Sequence, residues 1–137
     1  MGTRADFYMG QGKKATWLGS IAWDGYPDGI PDSIKRAPTQ AEYHSAVAEF
    51  LESRNDASLF QDSWPWPWKD SRTTDYAYTF STKTNQVMAS YFGYSWFPAI
   101  GGKQVDSGRR VAFPDMTERQ NVQWGAKSGL LVFTGEK

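Results

Sequence analysis

The chain has 137 residues, no cysteine, and fifteen basic side chains against fifteen acidic ones. That length implies a single domain over 1–137 that buries a core of its own. The lack of cysteine excludes disulfide staples, thiol catalysis, Fe–S clusters and the common structural zinc sites. The neutral balance disfavours nucleic acid, whose phosphates select for a basic excess.

Residues 4–9 (RADFYM) read as a short strand with Ala5, Phe7 and Met9 on one face. GQGKK turns the chain. Residues 15–23 (ATWLGSIAW) then alternate with period two, placing Trp17, Gly19, Ile21 and Trp23 together, so the pair predicts an N-terminal hairpin. Asp-Gly-x-Pro follows twice in succession, at 24–27 and 28–31, with Asp32 next. Gly25 and Gly29 accept positive φ. Pro27 and Pro31 lack a donor and push Tyr26 and Ile30 out of helical geometry, so the strand ends here and the chain turns. A brief helical turn is expected through 32–36.

Thr39 and Glu42 form a capping box ahead of Tyr43, Ala46, Val47, Phe50 and Leu51, which recur at helical spacing. This predicts one principal amphipathic helix over 40–53. SWPWPWKD (63–70) is extended, since Pro65 and Pro67 remove donors on alternate residues. Residues 74–82 alternate, with Tyr76, Tyr78 and Phe80 on one face. KTNQ turns, and 86–94 gives the second arm of a long central hairpin. Beyond 95 the chain is Gly-rich and irregular. A strand is expected at 109–113, a short helix from Asp115, and a closing strand at 129–135. The fold class is α+β: a mainly antiparallel sheet with an N-terminal hairpin, one principal helix and a central hairpin.

Seven Trp, seven Tyr and eight Phe are the unusual feature. Each ring buries ~150–250 Å² when it goes inside, so rings left over must lie at a surface. In an extended WPWPWK segment Trp64, Trp66 and Trp68 project to one side. They form either a stiff recognition strip or the cover for the sheet's open face. Asp24, Asp28 and Asp32 recur every four residues. Their spacing does not match a calcium loop, which leaves turn formation or ligand contact.

His44 is the single histidine, and no G-x-S-x-G, G-x-G-x-x-G or phosphate-loop motif is present. No catalytic residue, metal site or cofactor is therefore assigned. Asp24, Asp28, Glu42, Asp70 and Asp75 beside aromatics suit a carbohydrate platform or a carboxylate pair. Arg109, Arg110, Arg119 and Trp124 are candidates for stacking single-stranded bases. No apolar run approaches the ~20 residues of a membrane span. A soluble, cytoplasmic protein is expected.

MGTR at the N-terminus, two short strands and then WDGYPDG resemble a loose group of small bacterial and phage-associated proteins. These open Met-Gly-Thr-Arg and reach an aromatic-Asp-Gly-Tyr-Pro-x-Gly turn before a helix. The likeness covers residues 1–50 and is carried by Gly2, Thr3, Arg4, Trp23, Asp24, Gly25, Tyr26, Pro27 and Gly29. It implies a phage or prophage accessory setting, and an ion pair of Arg4 with Asp24.

The reading that follows is a non-enzymatic protein that binds a protein partner through exposed aromatics. Its candidate binding residues are Trp23, Asp24, Tyr26, Asp28, Trp64, Trp66 and Trp68. The alternative is a carbohydrate-binding or carbohydrate-active domain using Trp faces and Asp carboxylates. A homo-oligomer using the same surface is also open.

Overall fold

The computed structural model describes residues 2–104 and 110–117. Six strands form one mixed, mostly antiparallel sheet: β1 (Ala5–Met9), β2 (Thr16–Ile21), β3 (Ser58–Leu59), β4 (Tyr76–Ser81), β5 (Gln86–Tyr91) and β6 (Phe97–Pro98). Their order across the sheet is β3-β2-β1-β4-β5-β6. The two hairpins of the sequence reading are β1–β2 and β4–β5. They join through a parallel β1–β4 pairing at the centre of the sheet, which alternation within each strand does not reveal. The strands β3 and β6 are two residues each; β6 comes from the segment read as irregular, and β3 from a stretch to which no element was assigned.

Two helices lie on one face: α1 (Asp32–Lys35) and α2 (Gln40–Glu52). Thr39 caps α2 as its motif predicts. Its Oγ1 accepts from the Glu42 amide at 3.1 Å and its hydroxyl donates to the Glu42 carboxylate at 3.0 Å. Tyr43, Val47 and Leu51 are the buried stripe of α2, with Ala46 and Phe50 packed at its margin. They close over Ala5, Phe7, Ile21, Tyr78, Phe80, Val87 and Ala89. The helix approaches β2 closely because Gly19 lacks a side chain: a Cβ there would lie 2.5 Å from the Leu51 Cδ1.

Among the described residues the other sheet face is covered mainly by irregular chain. Tyr8, Trp17 and Ala77 look onto Trp64, Phe113 and Met116, with Trp66, Trp68, Trp96 and Val111 at the border. The protein is therefore three layers: helices, sheet, and a strap of irregular chain. Residues 110–113, expected as a strand, make one bridge, Arg110 to Tyr94. Helical geometry begins at Met116 and Thr117, one residue after Asp115. The expected strand at 129–135 and most of the expected helix from Asp115 lie outside the described residues, as do Arg109, Arg119 and Trp124. Among the described residues no helix is long and apolar enough to cross a membrane.

Candidate functional site

Strand register places one end of the sheet in a single row. Ile21 lies opposite Ala5, Ala5 opposite Tyr76, and Tyr76 opposite Tyr91. The residues immediately beyond that row are Ala22 and Trp23, Arg4, Asp75 and Phe92, so candidate residues far apart in sequence gather at this one end.

The turn after β2 is pinned by carboxylates and backbone. Asp56 accepts from the amides of Ala22 (3.0 Å) and Trp23 (3.2 Å), which takes these donors away from any further ladder and ends the strand. The Asp56 side chain is fully buried and binds Arg54 through Nε at 2.7 Å and Nη2 at 2.9 Å. Burial alone would raise the Asp56 carboxyl. The Arg54 guanidinium and the two amides outweigh it and hold that carboxyl below the usual range. Arg54 Nη2 also donates to the Trp23 carbonyl at 3.0 Å and lies 3.7 Å from the Asp24 carboxylate.

Gly25 then seats the turn on the sheet. Its amide donates to Thr3 O at 2.8 Å and its carbonyl accepts from the Tyr78 hydroxyl at 2.7 Å. A Cβ at Gly25 would come within 2.7 Å of the Ala5 Cβ. Pro27–Gly29 form a 3-10 turn, closed by the Gly29 amide on Tyr26 O and the Ile30 amide on Pro27 O.

On this fixed backbone Trp23 is 48 % exposed and Tyr26 43 % exposed. Asp24 and Asp28 are exposed as well. The three aspartates of the tandem take different partners. Asp24 faces Arg54, while Asp32 faces Lys35 at 3.8 Å and Arg36 at 3.6 Å. Arg4 pairs with Asp75 at 3.2 Å, and its amide donates to the same carboxylate at 2.9 Å. The Arg4–Asp24 pair implied by the resemblance is thus replaced by two others, Arg4–Asp75 and Arg54–Asp24. The parallel β1–β4 pairing is what sets Arg4 beside Asp75.

The Trp-Pro segment runs along the opposite sheet face with its prolines outward and its indoles inward: Pro65 and Pro67 are exposed, Trp64 is buried, and Trp66 and Trp68 are half-buried. Trp64 meets Trp17 edge to face at 5.4 Å and donates Nε1–H to Trp68 O at 2.6 Å, which curls the strap back on itself. Trp66 and Trp68 stack on each other at 5.5 Å with the Arg4 guanidinium over both rings. These three tryptophans make the sheet's cover, the second of the two roles the sequence left open.

Under the strap lies Asp6, which sequence reasoning passed over. It has no exposure at all. Its Oδ1 accepts from Ser20 Oγ (2.6 Å) and Trp66 Nε1 (2.7 Å), and its Oδ2 meets Ser71 Oγ at 2.5 Å. Trp17 Nε1 donates to Ser20 Oγ at 3.0 Å. An indole only donates. Ser20 therefore turns its own hydrogen to Oδ1, and Oδ1 is fixed as an acceptor. Oδ2 accepts from the Ser71 hydroxyl; a proton taken up by the carboxyl goes to Oδ2 and turns that hydroxyl to the Tyr8 oxygen, 2.7 Å away. Burial raises the Asp6 carboxyl above its ordinary range, against the opposing hydrogen bonds of Ser20, Ser71, Trp66 and Thr74. The signal available in the sequence was an acid in a strand whose neighbours on both sides, Ala5 and Phe7, are apolar, together with a strap of indoles that need acceptors.

A groove of about 380 Å³ lies between α2 and the β2–β3 edge, lined by Leu18, Val47, Ala48, Leu51 and Leu59, with His44 exposed on its rim. Among the described residues no group of three or more His, Asp or Glu side chains converges as metal ligands do. Comparison of the chain with protein-family models, with curated proteins and with solved structures finds no match, so what can be said of the site rests on its geometry.

Proposed function

We propose that this chain is a non-enzymatic binding protein that docks a protein partner through the turn Trp23–Asp28 at the end of the sheet. The observation that carries this reading is the pairing of two half-exposed rings with a backbone that cannot relax around them. Trp23 and Tyr26 stay in solvent while the neighbouring amides and carbonyls are bound by Asp56, Arg54, Thr3 and Tyr78. Trp, Tyr and Arg dominate the energetics of protein interfaces, and a rigid presenter loses little entropy on docking. The likeness of residues 1–50 to phage-associated proteins supports a phage or prophage accessory role. A cysteine-free chain fits a cytoplasmic setting. The carbohydrate reading has less support: the faces of Trp66 and Trp68 are occupied by each other and by Arg4.

A photo-cross-linking amino acid at position 23 tests the proposal in host lysate, with one at Lys83, in the β4–β5 turn, as control. A partner captured from position 23 alone, and bound at least ~30-fold more weakly by Trp23→Ala, is the expected result; that factor corresponds to about 2 kcal/mol. Equal capture from both positions, or a thermal shift with sugars that Trp23→Ala abolishes, would refute it. Light scattering shows whether the captured partner is a second copy of the chain.

A further inference from the structure

A repeated arrangement runs through the half-buried rings of this protein. Arg4 lies over Trp66 and Trp68 and is held by the Asp75 carboxylate. Arg54 lies 5.3 Å from the Phe50 ring centre and is held by Asp56. Arg110 lies over Phe92 (5.5 Å) and Tyr94 (4.9 Å) and donates to the Phe92 carbonyl. Each unit is a ring face, a guanidinium and an oxygen acceptor. Guanidinium groups favour such faces because the ring quadrupole is negative there.

The end of the sheet holds one more ring face with its acid. Phe7, Tyr78, Tyr76 and Tyr91 form a continuous ladder of rings, with centres 5.5, 6.1 and 5.0 Å apart. It runs from the fully buried Phe7 to Tyr91, which is 43 % exposed. The 3-10 turn bearing Asp28 sits beside it, because Gly25 O is bonded to the Tyr78 hydroxyl. Burial is the main cause that raises the Tyr76 and Tyr78 phenols; neighbouring phenols and, at Tyr76, the Asp75 carboxylate add to it, and Asp28 adds the smallest share to both. Among the described residues no cation pairs with Asp28. The nearest candidate by sequence, Lys35, gives its ammonium to Pro27 O at 2.7 Å and to Asp32. No described arginine lies over Tyr76 or Tyr91.

We infer that this position takes an arginine side chain of the docking partner, its guanidinium over the Tyr91 and Tyr76 rings and its charge balanced by Asp28. The inference rests on the proposed docking function and names the chemistry of the partner's contact. It needs a ring face and a carboxylate together, so charge alone does not meet it.

The test titrates the full chain with the peptide amide acetyl-Gly-Arg-Gly, and with its citrulline counterpart, which keeps the shape and lacks the charge. NMR shifts of the tyrosine rings report binding. The expected result is a saturable shift at Tyr91 and Tyr76 with millimolar affinity, at least about tenfold weaker for the citrulline peptide. Asp28→Asn weakens the arginine peptide about fivefold, and Tyr91→Leu, which keeps apolar bulk and removes the ring, does the same. Equal response to both peptides, unchanged affinity in either variant, or shifts confined to Phe92 and Tyr94 would overturn the inference. Cross-links from position 23 that persist while the arginine peptide fails to bind overturn this inference alone. Failure of both removes the docking function with it.

Discussion

Replacing Asp6 by Asn tests the hydrogen-bond assignment under the strap. Oδ1 must accept from Ser20 and Trp66, so the amide oxygen takes that place. Nδ2 then replaces Oδ2 and donates to Ser71, whose hydroxyl turns to Tyr8. Asp6→Asn is therefore a neutral copy of the protonated acid. Alanine is a poor probe, because it strands three buried donors at about 1–3 kcal/mol each, against a total stability of about 5–15 kcal/mol.

The sign follows from burial. The folded-state carboxyl titrates above the unfolded value of 3.8. Between those two values the unfolded chain has lost its proton and the folded protein has kept it. The wild type accordingly loses about 1.4 kcal/mol of stability per pH unit across that interval relative to the variant. Below the unfolded value the two proteins differ least, and above the folded value the difference is constant at its maximum. Asp56, whose carboxyl is held low, loses its contribution as pH falls. It is common to both proteins and cancels. Urea titrations followed by tryptophan fluorescence from pH 4 to 8 measure the difference. With a slope of about 1–3 kcal/mol/M, the midpoints separate by about 0.5–1.4 M per pH unit. A difference that is flat with pH, or one that favours the wild type as pH rises, would refute the raising of the Asp6 carboxyl by burial.

Two further substitutions check the layers on either side. Gly25→Ala places a methyl against Ala5 and Arg4, lifts the turn from the Tyr78 hydroxyl, and costs about 1–3 kcal/mol by denaturant titration. The lifted turn also weakens partner capture from position 23. Trp64→Ala removes a ring that is 6 % exposed and packs edge-on against Trp17. It costs about 3–5 kcal/mol and reduces the near-ultraviolet circular dichroism of the indole cluster, with the far-ultraviolet signal retained.

The parts of the fold legible in the sequence are those whose causes are local. The T-x-x-E box and the spacing of Tyr43, Val47 and Leu51 specify α2 within a residue of its observed ends, since capping and amphipathic burial act over a few residues. Alternation at Tyr78 and Val87 specifies the central hairpin. The first hairpin lies where the sequence predicts it, but a register shift after Phe7 breaks the alternation of β2. Trp17 therefore joins Tyr8 on the strap face while Ile21 lies on the helix face, and the two do not share one face as expected. The β1–β4 pairing is not legible, because neither strand carries a mark of its parallel partner. The Arg4–Asp75 pair depends on that pairing, and the Arg54–Asp24 pair depends on the approach of the segment after α2 to the turn after β2, which local pattern does not show either. β3 and β6 are too short to show a period. The turn residues Trp23, Asp24, Tyr26 and Asp28 were legible as a group because Gly and Pro punctuate the chain there. The role of Tyr91 depends on its register with Tyr76, and Asp6 depends on a strap 60 residues away.

The parallel seam at the centre of the sheet also governs how the molecule is made. Arg4 and Asp75, which flank it, are 71 residues apart. At about 5–20 residues per second a ribosome needs about 4–14 s to supply the intervening chain. Throughout that time β1 has an open flank; α2 becomes available to cover Ala5, Phe7 and Ile21, while Tyr8 and Trp17 on the other face still lack the strap that covers them. The nascent chain is therefore at its most adhesive midway through translation, and it passes out of that state when β4 docks against β1.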